Sequence, residues 1–140
     1  MTIKEMTIPQ MTIEAILRDA KTIAVVGLSG DPDKPSYGIA RALQSYGYRV
    51  IPVNPRETEV LGEKSYAALA EIPVEVDIVN VFRRADQTPP IATEAVAIGA
   101  KCLWLQSGIV SEEAAAIGRA GGLMVIMDHC IMVEHRKLGL

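Results

Sequence analysis

Five short stretches of the chain are apolar at nearly every position: residues 22–27, 49–53, 76–82, 102–105 and 123–127. Their β-branched content reads as strand. The lack of in–out alternation is what strands show when helices cover both faces of their sheet. Each stretch ends on glycine or on polar, turn-forming residues. Between them the apolar residues recur at helical spacing instead. Thr12 can cap a helix over 12–20, with Glu14 in its first turn. Ile39, Ala42 and Leu43 share one face of a helix over 38–46, which Gly47 stops. Further helices are expected over 65–70, over 87–99 behind Pro89-Pro90, over 111–119 with Ser111 as cap, and over 131–138. Strand and helix alternate throughout. The fold class this predicts is α/β: a Rossmann-like doubly wound five-stranded parallel sheet, with helices on both faces and right-handed crossovers. The strand count suggests one mononucleotide-binding half with a two-strand extension.

Composition narrows the function classes more than the fold. A length of 140 residues suits one domain with a core of its own, and 49% apolar against 22% charged residues is a folded, globular balance. The net charge of −3 argues against a nucleic-acid module. Cys102 and Cys130 are the only cysteines, too few for a disulfide framework or a zinc set, which suits a reducing cytoplasm. Mean hydropathy is +0.22, yet no apolar run approaches the ~18–20 residues of a membrane span. The start, MTIKEMTIPQMTI, has no apolar signal core, and its Met-Thr-Ile triplets at Met1, Met6 and Met11 are too short to be structural repeats. Residues 1–10 are expected to be a flexible arm and 11–140 a single domain.

In a doubly wound sheet the ligand crevice lies beyond the carboxyl ends of the strands. Those ends carry Gly27-Leu28-Ser29-Gly30, Asn54-Pro55-Arg56, Phe82-Arg83-Arg84, Gln106-Ser107-Gly108 and Asp128-His129-Cys130. Any one could be only the loop after a strand; it is the set that points to a crevice. The stretch GLSGDPDKPSYG, from Gly27 to Gly38, is the most informative. Gly27 permits close backbone approach, the helix that follows offers free N–H groups to a phosphate, and Lys34 and Ser36 add a cation and a hydroxyl. The pattern is neither G-x-G-x-x-G nor G-x-x-x-x-G-K-[ST]. At the second strand end Arg56 stands where an NAD-binding fold keeps an acid, so it suits an extra ribose phosphate, as in NADP or coenzyme A. Arg83 and Arg84 are further candidates for phosphates. Asp128, His129 and Cys130 are adjacent and cannot face one another as a triad, although a helix N-terminus beside Cys130 would activate its thiol. Trp104 is expected in the core with a partner for its N–H.

Taken together, these segments resemble the small stand-alone CoA-binding domain proteins, relatives of the N-terminal CoA-binding domain of the succinyl-CoA synthetase α subunit. The likeness runs from about Ile13 to the C-terminus. It rests on IAVVGLSGDPDKPSYGIARALQSYGYRVIPVNPR, LGEKSYAAL, VDIVNVFRR, LWLQSGI and DHCIMVEH. The resemblance implies coenzyme A as ligand. Gly27, Leu28, Ser29 and Ser36 would then lie against its pyrophosphate or pantetheine, and Lys34 would reach a phosphate. Asn54, Pro55 and Arg56 would flank the adenosine end, and Val81, Phe82 and Arg83 would line the adenine and its linker. Gln106, Ser107, Gly108, His129 and Cys130 would close the thiol end. The synthetase carries a phosphorylated histidine in a second domain that is not expected here, so its ligase activity is not implied.

The function expected is therefore binding of coenzyme A or an acyl-CoA, without catalysis by the chain itself. The alternatives are an NADP-dependent reductase or a small acyl-CoA-handling enzyme, although no tyrosine is followed at helical spacing by a lysine for hydride chemistry. A third is a regulatory protein with an empty crevice. The partner expected is a small nucleotide ligand rather than nucleic acid or membrane, and a homodimer is compatible with so small and apolar a chain.

Overall fold

The computed structural model describes residues 8–140, with side chains from Ile13 onward. The arm expected over 1–10 lies outside the described residues as far as residue 7. In chain order the elements are α1 (Ile8–Asp19), β1 (Thr22–Val26), α2 (Pro35–Ser45), β2 (Arg49–Val53), β3 (Glu59–Val60), β4 (Glu63–Lys64), β5 (Ile78–Val81), α3 (Thr88–Ala97), β6 (Cys102–Leu105), α4 (Glu112–Ala120), β7 (Met124–Ile126) and α5 (Ile131–Leu138). The five long strands form one parallel sheet in the order β2-β1-β5-β6-β7. Among the described residues no helix is long and apolar enough to cross a membrane.

The strand order corrects one expectation. A mononucleotide-binding half would step β1, β2 and β5 in one direction, with β2 interior. Here β2 is the edge and β5 lies on the far side of β1. Pro52 gives the reason: it has no N–H to donate to a second neighbour, so its strand belongs at an edge. Among the described residues the outer side of β2 pairs only in a bridge to Tyr66, whose N–H donates to Pro52 O at 3.0 Å. The change of direction puts the switch point between β1 and β5, where ligands bind in such sheets.

Successive strand residues face opposite layers, and each layer is apolar. Ile23, Val25, Ile78, Cys102 and Trp104 pack under α1, α2 and α5 with Leu17, Leu43 and Ile131. Ala24, Val26, Val79, Val81, Leu103 and Leu105 pack under α3 and α4 with Ala92, Ala95, Ala114 and Ala115. The small alanines let these two helices lie close to the sheet and to each other.

Helix boundaries differ from expectation in three places. The first helix begins at Ile8, so Thr12 lies inside it and does not cap it. The second begins at Pro35 rather than Gly38, because proline at N1 is already set to the helical φ. The helix expected over 65–70 is absent; Tyr66 pairs with β2, and a short 3₁₀ turn runs over Leu69–Glu71. Before it stands the hairpin of β3 and β4, turned by Leu61 at φ 54° and Gly62 at φ 80°. Two positive φ values suit that tight turn, but leucine rarely adopts one, so no turn signal showed. Ser111 does cap α4, its Oγ accepting the Ala114 N–H at 3.1 Å.

One buried titratable group ties α5 to this frame. His135 stacks on Tyr46, with centroids 4.1 Å apart and planes 3° off parallel, and meets Tyr48 edge-on at 5.7 Å. Tyr48 OH donates to Leu17 O, and Arg136 Nε donates to Tyr46 OH at 3.1 Å. Burial lowers the His135 pKa below the usual histidine value. A histidine depressed in the folded state stabilises fully above its unfolded pKa of ~6.5, and that contribution is lost as pH falls below it. Urea unfolding is expected to show stability falling from pH 7.5 to pH 5, with a shallower fall in His135→Phe. An unchanged slope in the variant would assign the acid loss elsewhere. Asp77 is the other candidate: burial raises its pKa, but the Lys21 and Thr22 amides and the Lys101 ammonium outweigh that and leave it lowered. Its contribution is present above the unfolded carboxylate value and fades only at lower pH still.

Candidate functional site

The chain leaves β1 through a turn only glycine accommodates. Gly27 has φ +88°, and a Cβ there would stand 2.5 Å from Phe82 O and 3.3 Å from Arg83 Nε. The carboxyl ends of β1 and β5 therefore touch at this point, and the Arg83 guanidinium lies against the Gly27 backbone. The loop beyond is held by its own polar groups. Ser29 N–H donates to Ser36 Oγ at 3.1 Å, Asp31 N–H to Ser29 Oγ at 3.0 Å, and Asp33 N–H to Asp31 Oδ1 at 2.9 Å. Gly30 N–H donates to the Glu57 carboxylate. Lys34 occupies the N-cap position of α2 without capping it through its side chain.

Two adjoining chambers open at the switch point. One, about 340 Å³, is lined by Gly27, Ser29, Lys34, Pro35, Ser36 and Phe82. The other, about 430 Å³, is lined by Pro35, Ile39, Phe82, Arg83, Arg84, Gln106, Ser107, Ile109 and Cys130. Pro35 and Phe82 belong to both, so the chambers lie side by side against these two residues. A further cavity of about 250 Å³ lies at the opposite ends of the strands, beside α1, among Ala15, Asp19, Lys101 and Gly122.

The first chamber is polar at its loop and helix end. Neither Lys34 nor Arg83 has a carboxylate within 4 Å among the described residues, whereas Arg84 pairs with Asp86 at 3.4 Å in solvent. The second chamber is more apolar, with Ile39, Phe82 and Ile109 in its wall. Gln106 supports its floor. Gln106 Oε1 accepts Asn80 Nδ2 at 3.1 Å and the Ile131 N–H, at the start of α5, at 3.0 Å. Asn80 is wholly buried, and its Oδ1 has no partner. Cys130 immediately precedes α5. Cys102 is different: it lies in the core, and burial pushes its thiol pKa well up.

Not every residue expected in the crevice lines it. Gly27, Ser29, Lys34, Ser36, Phe82, Arg83, Gln106, Ser107 and Cys130 do. The side chains of Leu28 and Val81 are buried instead in the two core layers, Val81 by strand alternation and Leu28 beyond the Gly27 turn. Asn54 braces the loops: its Nδ2 donates to Leu28 O, its Oδ1 accepts Arg56 N–H, and its carbonyl accepts Ser65 Oγ, each at 3.0 Å. Pro55 and Arg56 are exposed beside it and line neither chamber. Gly108 N–H is held by Asp128 Oδ1 at 2.6 Å, with Asp128 itself at φ 59°. His129 accepts Trp104 Nε1 on its carbonyl at 2.8 Å, pairs its Nδ1 with Glu134 at 3.2 Å, and lines neither chamber. Pro35, Ile39 and Ile109 enter the lining unforeseen. Ile39 was legible only as a member of the apolar face of its helix.

Comparison with known proteins gives the family and the fold. A family model described as a CoA binding domain matches residues 21–136. An uncharacterized protein of Bacillus subtilis is 48% identical over 123 residues, spanning 88% of this chain and 91% of its own. The solved structure of a hypothetical protein from Pyrococcus horikoshii OT3 superposes with a TM-score of 0.90 at 33% identity, covering 100% of this chain and 97% of that one. The alpha subunit of an ADP-forming acetate–CoA ligase from Pyrococcus furiosus is 51% identical over 60 residues, 42% of this chain but 13% of the subunit.

Proposed function

The chain belongs to the CoA-binding domain family, and from that premise we propose that it binds coenzyme A, or an acyl-CoA, along the two adjoining chambers at the carboxyl ends of β1, β5 and β6. The observation that carries the reading is their adjacency, from cations with no carboxylate within 4 Å among the described residues, at a loop and helix N-terminus, to an apolar wall ending at a thiol. Coenzyme A has matching ends. Its phosphates suit Lys34, Arg83, Ser29 and the start of α2. Its pantetheine arm would cross Phe82 between Ile39 and Ile109, and its sulfur would finish near Ser107 and Cys130. The Asn54-Pro55-Arg56 turn would flank the adenosine from outside.

Titration calorimetry at two salt concentrations tests this, with NADPH and NADH in parallel. Coenzyme A is expected to bind, and to bind more weakly at the higher salt. Arg83→Ala, which removes a half-buried cation, is expected to lose about 10–100-fold in affinity. Lys34→Ala, which removes an exposed one, is expected to lose about 3–5-fold. Both should melt within about 1–2 °C of the wild type, since neither residue is part of the core. Binding of NADPH without coenzyme A would put the reductase reading in its place. Binding of neither would reject both.

A further inference from the structure

In the loop between β1 and α2, the Gly30 amide is held by a carboxylate from a distant part of the chain. Glu57 lies 27 residues on, in the turn after β2, and its carboxylate accepts the Gly30 N–H. The approach is close enough that a Cβ at Gly30 would stand 2.5 Å from Glu57 Oε2. The neighbouring amides are satisfied differently: a hydroxyl takes each of Ser29 and Asp31, and the loop's own Asp31 takes Asp33. Glu57 is fixed from behind by its own N–H, which donates to Asn54 O at 3.2 Å. It has no lysine or arginine within 4 Å among the described residues, so the loop backbone is what holds its charge. A backbone amide in a strand-to-helix loop that already holds a carboxylate has the geometry and polarity to hold a phosphate oxygen.

We infer that Glu57 sets the affinity of the crevice: its carboxylate occupies the Gly30 amide that a ligand phosphate would take, and it must leave before the phosphate binds. This rests on the coenzyme A reading and deepens it. The carboxylate opposes the ligand twice, by occupying a donor and by repelling like charge. Affinity is therefore held below what the cations and amides of the loop would otherwise give. The distinguishing feature is the direction of the mutant effect. Damage to a loop weakens binding, and only removal of a competitor strengthens it.

The test is calorimetric titration of wild type and Glu57→Gln with coenzyme A and, separately, with inorganic pyrophosphate. Glutamine keeps the length and an acceptor oxygen but loses the charge. Both ligands are expected to bind the variant about 5–20-fold more tightly, as for one like charge removed near the surface. Glu57→Asp, too short to span to Gly30 but still charged, is expected to fall between the two, and thermal melting of each variant confirms that it is folded. Unchanged or weaker binding of both ligands by folded Glu57→Gln would overturn the inference. If wild type and variant ignore coenzyme A while pyrophosphate binds the variant more tightly, the coenzyme A reading fails and the role of Glu57 stands.

Discussion

Gly27→Ala is expected to weaken coenzyme A binding by about 100-fold or more and to lower the melting temperature by roughly 10 °C. Two costs add at this position. At φ +88° any L-residue is strained, by about 1–3 kcal/mol. The new methyl would also lie 2.5 Å from Phe82 O, a main-chain atom. Its residue cannot easily retreat, because the Phe82 N–H, in the preceding peptide, is bonded to Val26 O at 2.9 Å. Overpacking of this kind costs about 1–3 kcal/mol more. A total near 3 kcal/mol is a large part of the ~5–15 kcal/mol that holds a domain together. Relief must come from parting the ends of β1 and β5, which moves the loop away from Arg83 and opens the chamber that would hold the phosphates. Gly38→Ala is the control: nothing lies within 4 Å of its added methyl and the residue is helical, so it should be neutral or stabilising by up to about 1 kcal/mol. Calorimetric melting and ligand titration read both effects. A Gly27→Ala protein that melts and binds like wild type would show that the contact between the strand ends is not limiting.

Asn80→Asp should be the most damaging isosteric change in the sheet. Asn80 is fully buried, and Nδ2 donates to Gln106 Oε1 at 3.1 Å and Trp104 O at 3.4 Å. Both partners are acceptors. Gln106 Oε1 is committed as an acceptor because it also takes the Ile131 N–H. A carboxylate at position 80 would face two oxygens in a dry interior, and an uncompensated charge of this kind costs about 3–5 kcal/mol. The pH dependence has a definite sign. Burial raises the folded pKa of the new carboxyl above its unfolded value, so its contribution is intact below the unfolded pKa and is lost as pH rises through the folded one. Relative to wild type at the same pH, the variant is therefore least impaired in acid, where the protonated acid can donate to Gln106. Asn80→Leu adds no charge and should lose only about 1–3 kcal/mol, with no such dependence. Chemical denaturation across pH separates the two. Equal losses for both at pH 7.5 would mean that the donor, and not the charge, is what the site requires.

The strands were legible because burial on two faces leaves a signature that does not depend on neighbours in space: Ile23 to Val26 and Cys102 to Leu105 are apolar at each step. Edge status was also written in the chain, in Pro52, but a proline inside an apolar run is easily passed over. What could not be read were contacts closed by the fold. Glu57 reaches Gly30 only because the turns after β1 and β2 lie side by side, and nothing local distinguishes it from any loop acid. Asn54 reads in the sequence as a ligand contact, and the fold also makes it a brace between loops, since an amide with donor and acceptor at a strand end serves either purpose. Leu28 and Val81 stand at the strand ends as read, with their side chains in the core, because position along the chain does not say which way a residue faces there.

The Tyr66 bridge has a consequence for self-association. A sheet can recruit strands from other molecules only along an edge with unpaired amides. On one side the edge strand β2 is partly capped by Tyr66, and it contains a proline that could not donate to a newcomer. On the other side β7 offers three residues, too short a template for a stable ladder. Growth by sheet extension is blunted at both ends, which protects a protein with so apolar a set of strands from fibril-like stacking. Two copies that pair would have to do so through helix faces, away from the amides that the sheet has already used.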